Sequence, residues 1–173
     1  FSYMATIRLS GYTQSEVLSN FPVLVKLGTN IAGFDYGHFL SPGAADLRFV
    51  SDVGNELNYE KDVWNPSGDS YVWVQVPALS SFGTLISAYW GKAGLATPAY
   101  ATNGATWSNG YLGVWHLNQP HAINAVSGFA GTAHGNTTTT GCIGSAQYFN
   151  TNTFNNYLDL GDLRATNLTL EAW

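Results

Sequence analysis

The sequence predicts an all-β chain, an antiparallel β-sandwich followed by part of a second, jelly-roll sandwich. Two observations predict it. Apolar side chains alternate with period two in segment after segment between Phe1 and Trp90, the pattern of strands that bury one face. Aromatic residues reach 14% while charged residues stay at 10%, with Gly, Ser, Thr and Asn filling much of the remainder, a balance suited to many strands and turns.

Taken in order, Tyr3, Ala5, Ile7 and Leu9 form one face of the first strand, against Met4, Thr6 and Arg8 on the other. Phe21, Val23, Val25 and Leu27 repeat the pattern, and Leu47 and Phe49 mark a third strand. Val72, Val74 and Val76 then alternate with Tyr71, Trp73 and Gln75, and Ile86, Ala88 and Trp90 complete the series. Turn signals separate them: Ser10-Gly11, Ser41-Pro42-Gly43, Asp52-Val-Gly-Asn55 and Asn65-Pro-Ser-Gly68, where Gly and Asn accept positive φ and Pro presets a turn. From Gly91 to Asn109 the alternation lapses into small residues with no face to bury, which divides the chain into a domain over 1–95, a linker over 96–109 and a second domain over 110–173. In that second domain Tyr111 to Leu117, Ala146 to Phe149, Tyr157 to Leu160 and Leu168 to Trp173 read as strands, the last with Leu168, Leu170 and Ala172 on one face.

Six Lys and Arg against eleven Asp and Glu give a formal charge of −5, which disfavours nucleic acid and anionic lipid as partners. No run of about 18 apolar residues suggests a membrane-spanning helix. The low-charge surface rich in Thr, Asn and Gly points to an extracellular or cell-surface location. The lone Cys142 has no internal disulfide partner, so packing, a bound ion or neighbouring subunits must supply the stability.

The motifs Asn20-Phe-Pro-Val-Leu-Val-Lys-Leu27, Ala45-Asp-Leu-Arg-Phe-Val50, Leu57-Asn-Tyr-Glu60, Tyr71-Val-Trp-Val-Gln-Val-Pro77 and Ala88-Tyr-Trp-Gly91 occur in that order. Together they resemble the domain of unknown function 2341, a β-sandwich module of large bacterial exported proteins. Gly113-Val-Trp-His-Leu117, Gly141-Cys-Ile-Gly-Ser-Ala-Gln-Tyr-Phe149, Tyr157-Leu-Asp-Leu160 and Asn167-Leu-Thr-Leu-Glu-Ala-Trp173 resemble the opening part of a concanavalin A-like, laminin-G-like jelly roll. The resemblance implies an exported, non-catalytic module whose second sandwich is completed by later strands, from the same polypeptide or from a neighbour. It departs from the usual pattern at Asn124-Ala-Val-Ser-Gly-Phe129, where an acidic turn is commoner, and that weakens any ion site built from that loop.

Candidate chemistry is sparse. Glycan contact needs aromatic platforms with polar rims, and Trp64, Trp107 and Tyr111 are the candidates, the two tryptophans because they adjoin Asn65 and Ser108. Asp159 and Asp162 flank Gly161 with hard oxygen ligands, an arrangement that suits calcium and equally describes a solvated turn. His116, His121 and His134 could gather round a transition metal, but their spacing fits no standard zinc pattern. Asn136 and Asn167 open N-glycosylation patterns, and Thr137, Thr138, Thr139 and Thr140 form a tract suited to O-glycans. Glycoside hydrolysis needs two working carboxyls; Glu171 has Thr169 and Trp173 where an alternating strand would carry the second, so no catalytic residue is expected. The expected function is a structural or adhesive extracellular module, a subunit of a surface fibre or filament joined by strand contacts. Its partners would be further copies or other surface proteins, and glycans. The alternative is a carbohydrate-binding accessory region of a secreted polysaccharide-degrading enzyme.

Overall fold

A computed structural model describes residues 1–118, 122–152 and 154–172. All its regular elements are strands and short 3-10 turns, and the chain divides into two units, Phe1–Tyr111 and the residues from Leu112 onward.

The first unit contains β1 (Tyr3–Leu9), β2 (Leu18–Leu27), β3 (Arg48–Ser51), β4 (Glu56–Leu57), β5 (Tyr59–Val63), β6 (Ser70–Leu79) and β7 (Thr84–Trp90). They form two antiparallel sheets, one in the order β1-β7-β3-β4 and the other β2-β6-β5. Because successive side chains on a strand point to opposite faces, Val72, Val74 and Val76 of β6 turn inward together, as do Ile86, Ala88 and Trp90 of β7. These two rows, with Val25, Leu27, Phe49, Leu57 and Tyr59, make the core of the sandwich. Tyr59 is wholly buried and donates its hydroxyl to the Leu47 carbonyl at 3.0 Å. Burial pushes its pKa up to about 12, with the Arg48 guanidinium opposing. Trp90 closes one end of the core against Phe34, Phe39 and Tyr3.

The five strands expected from alternation are all present, and β4 and β5 join them. The segment 96–109, read from its composition as a connector, carries 3-10 turns at Ala99–Ala101 and Ala105–Trp107 and belongs to the first unit, which runs to Tyr111. Its buried residues, Ala101, Thr106 and Trp107, fall at irregular spacing, which is why no periodic face announces them.

The second unit holds β8 (Thr132–His134), β9 (Thr137–Thr140), β10 (Ser145–Tyr148) and β11 (Tyr157–Asp159), paired antiparallel as β9 with β10 and β8 with β11. Two expected strands do not form. Between Tyr111 and Leu117 there is an isolated bridge from Trp115 to Asn124, and Leu117 adopts a φ of 56° that ends any extension. Leu168 to Ala172 is not a strand either, and Leu170 is 78% exposed. A strand exists only within a ladder, and these residues have none beside them among the described residues. Trp173 lies outside the described residues.

Candidate functional site

The same alternation that buries Tyr59 and the β6 valines sends Glu60 of β5, and Trp73 and Gln75 of β6, to the opposite face of their sheet, and a register shift between Lys61 and Val63 lets Asp62 reach Trp73 on that side. Glu60 stands opposite Trp73 in the ladder. The indole N–H of Trp73 donates to Asp62 Oδ2 at 3.1 Å, and that of Trp107 donates to Glu60. The Trp73 and Trp107 rings lie 5.3 Å apart at 57°, and Tyr111 meets Trp107 edge-on at 5.6 Å. Polar bonds fix the segment that carries Trp107: Gln75 Nε2 donates to Ser108 Oγ at 2.9 Å, and Asn109 Nδ2 to the Ser19 carbonyl at 2.9 Å. The result is a ladder of three aromatic rings edged by two carboxylates.

The sequence reading singled out Trp107 and Tyr111 but missed Glu60 and Asp62. The signal was there in the sequence: Glu60 and Asp62 stand two apart, which on a regular strand means one face and about 7 Å, although the register shifts between Lys61 and Val63. That separation alone would suit glycoside hydrolysis. In the fold each carboxylate accepts from an indole N–H, Asp62 from Trp73 and Glu60 from Trp107.

The three expected platforms differ in access. Trp107 is 4% exposed, so its face is covered and it serves as packing. Trp64 is half-buried at the end of the core, edge-on to Tyr36 and Phe39, with Lys61 Nζ 5.6 Å above its ring. Tyr111 is the open one, at 38% exposed. A polar neighbour in sequence does not open a ring to solvent: Tyr36 and Phe39 pack on Trp64, and Trp73 and Tyr111 on Trp107.

Elsewhere the predicted ligands do not converge. Asp159 Oδ1 accepts the Gly161 N–H at 2.9 Å, an Asx turn. Asp162 accepts from Arg164 twice, from the backbone N–H at 3.1 Å and from Nε at 2.7 Å, and the guanidinium holds its carboxyl below the usual range. Among the described residues no three His, Cys, Asp or Glu side chains form a metal-sized group. His134 stacks on Tyr157 at 4.2 Å, and His121 lies outside the described residues. Asn136 is 6% exposed; its amide donates to Gln147 Oε1 at 2.8 Å and its oxygen accepts the His134 N–H at 3.1 Å, so the folded chain does not present it for glycosylation. Asn167 and Thr137 to Thr140 are exposed, as is Cys142.

The one carboxylate buried from solvent among the described residues is structural. Asp46 accepts backbone N–H bonds from Leu40, Ser41, Gly91 and Lys92 at 3.0 to 3.3 Å. Burial disfavours its charge, but the bonds outweigh burial and its pKa lies below the ordinary value.

Comparison with known proteins yields no match, either to a family model, to a curated protein or to a solved structure.

Proposed function

We propose that the chain is a non-catalytic extracellular module that works by contact, as a structural or adhesive element or a subunit of a surface fibre. The domain resemblances in the sequence are part of the same proposal. The observation that supports it most is the free edge of β1. Ser2 donates its N–H to the Gly91 carbonyl at 3.3 Å, which makes Ser2 and Gly91 a hydrogen-bonded pair at the end of the β1–β7 ladder. Such pairs alternate along an antiparallel ladder. The backbone groups of Met4, Thr6 and Arg8 therefore face β7, while those of Tyr3, Ala5, Ile7 and Leu9 face outward. No described strand pairs with that outer edge. Beside it runs a groove of about 530 Å³, lined by Met4 to Arg8 and by Asn30, Ile31 and Ala32.

An open, unbulged strand edge of seven residues is a template for a strand from another chain. The occupant is a second copy: β1 against β1, antiparallel about Thr6, sets Arg8 opposite Met4 and brings no like charges together. The test is sedimentation velocity over a concentration series, with a Met4→Lys/Thr6→Lys variant as control. Both side chains are exposed, so the variant keeps its fold while charge blocks the edge. Concentration-dependent association in the parent and its loss in the variant are expected; a parent that stays monomeric at high concentration would sink the reading.

A second reading, carbohydrate contact as an accessory region of a secreted polysaccharide-degrading enzyme, is favoured by a neutral aromatic cleft in the second unit.

A further inference from the structure

We infer that the second unit binds uncharged, hydroxyl-rich ligands of the carbohydrate class in a cleft beside the end of β10. This rests on the carbohydrate reading above and gives it a location. The cleft has a volume of about 380 Å³ and is lined by Thr137, Tyr148, Asn150, Phe154, Asn155 and Asn156. That volume lies at the lower end of the range of about 300–1,000 Å³ usual for small-ligand sites, a size for one or two sugar rings.

Its chemistry selects the ligand class. None of these six side chains is charged at neutral pH, so an ionic ligand would leave water without a counter-charge. Phe154 is fully exposed and Tyr148 is 55% exposed, two ring faces on which the C–H side of a sugar can lie. Amides and hydroxyls both donate and accept, which matches a sugar hydroxyl that does the same.

The cleft is also set in advance of binding. Asn156 Nδ2 donates to the Gly135 carbonyl at 2.7 Å, and its Oδ1 accepts the Asn150 N–H at 3.1 Å. Gly135 has a φ of 76°, and a Cβ there would lie 2.9 Å from Asn156 Nδ2, so the turn and the amide require each other. Asn155 holds a left-handed φ of 71°. Asn156 is thus spent on the scaffold. Among the described residues, the hydroxyls of Tyr148 and Thr137 and the amide of Asn155 are left to face a ligand.

The test is affinity electrophoresis of the intact chain through gels containing a β-glucan, a xylan or a galactomannan, and in parallel polygalacturonate or heparin. Retardation by at least one neutral polymer is expected. Phe154→Ala and Tyr148→Ala should each weaken it roughly tenfold, with circular dichroism unchanged because both rings stand at the surface. Retardation by the anionic polymers alone would overturn the ligand class. Undiminished retardation of both variants would overturn the site and leave the carbohydrate reading standing. A parent chain retarded by none of the neutral polymers would remove site and reading together.

Discussion

The carboxylate of Asp46 accepts the backbone N–H of Gly91 at 3.0 Å, tying a loop before β3 to the chain just after β7. The same carboxylate takes the N–H of Lys92, Leu40 and Ser41, so one side chain satisfies four backbone donors drawn from two distant segments. Nearby, Ser41 Oγ donates to the Lys92 carbonyl at 2.9 Å and accepts the Leu95 N–H at 3.1 Å.

Replacing Asp46 by Ala would strand several of those donors in the interior. The expected loss is about 3 kcal/mol or more, since each orphaned buried donor costs about 1–3 kcal/mol. The folded-state pKa is depressed, so the stabilisation is complete above the unfolded value of about 4 and fades as pH falls through the folded one. Urea melts from pH 7 to pH 2 should show a falling midpoint below about pH 4 in the parent, and a shallower fall in Asp46→Asn.

Trp107 separates packing from ligand contact. As a covered ring it should cost about 3–5 kcal/mol when replaced by Ala. Trp107→Phe, which keeps a smaller ring in place and drops the N–H to Glu60, should cost less than the Ala variant, about 1–3 kcal/mol. Guanidinium unfolding followed by the remaining tryptophans measures both; a Trp107→Ala variant as stable as the parent would return the ring to the surface.

Gly91 has a φ of 82°, and a Cβ there would stand 2.5 Å from Tyr3 Cδ2. Gly91→Ala should therefore destabilise by about 1–2 kcal/mol or more, through left-handed strain and displacement of the Tyr3 ring. Tyr3 stacks on His38 at 3.9 Å, so hydrogen exchange should accelerate first in β1.

Calcium should not matter to the folded state. Asp162 is held by Arg164, and Asp159 closes its own turn. Thermal melts with millimolar calcium and with chelator should coincide within about 1 °C, whereas tight binding to the native chain would raise the midpoint in proportion to the free-energy gain.

Where a strand pairs on both sides or buries one full face, the sequence declared it. The valines of β6 and the Ile86, Ala88 and Trp90 row are examples, because burial of alternate positions leaves a period that survives any change of neighbours. Glu60 and Asp62 broke that legibility: charges on a strand look like solvent-facing residues until indoles from other segments reach them. Trp107 misled in the opposite direction, since Ser108 beside it suggested exposure and tertiary packing decided otherwise. Leu168 and Leu170 alternate as a strand does, yet pairing depends on a neighbour that no local pattern encodes. The neutral cleft was invisible for a related reason. Its aromatics and amides are common surface residues, and only the turns at Gly135 and Asn155 bring them together.

The pairing of Tyr3 with Trp90 also decides how the first unit carries tension. A pull entering at Phe1 and leaving beyond Gly91 acts on the same end of the β1–β7 ladder, so it peels the strands apart one pair at a time instead of shearing all seven pairs at once. Resistance then depends on what fastens the exit of β7. The Asp46 bonds to Gly91 and Lys92 sit at that point, with the Ser41 bonds to Lys92 and Leu95 behind them. A load on the chain meets this knot of hydrogen bonds before it reaches the ladder, which makes a buried carboxylate the clasp of the module under force.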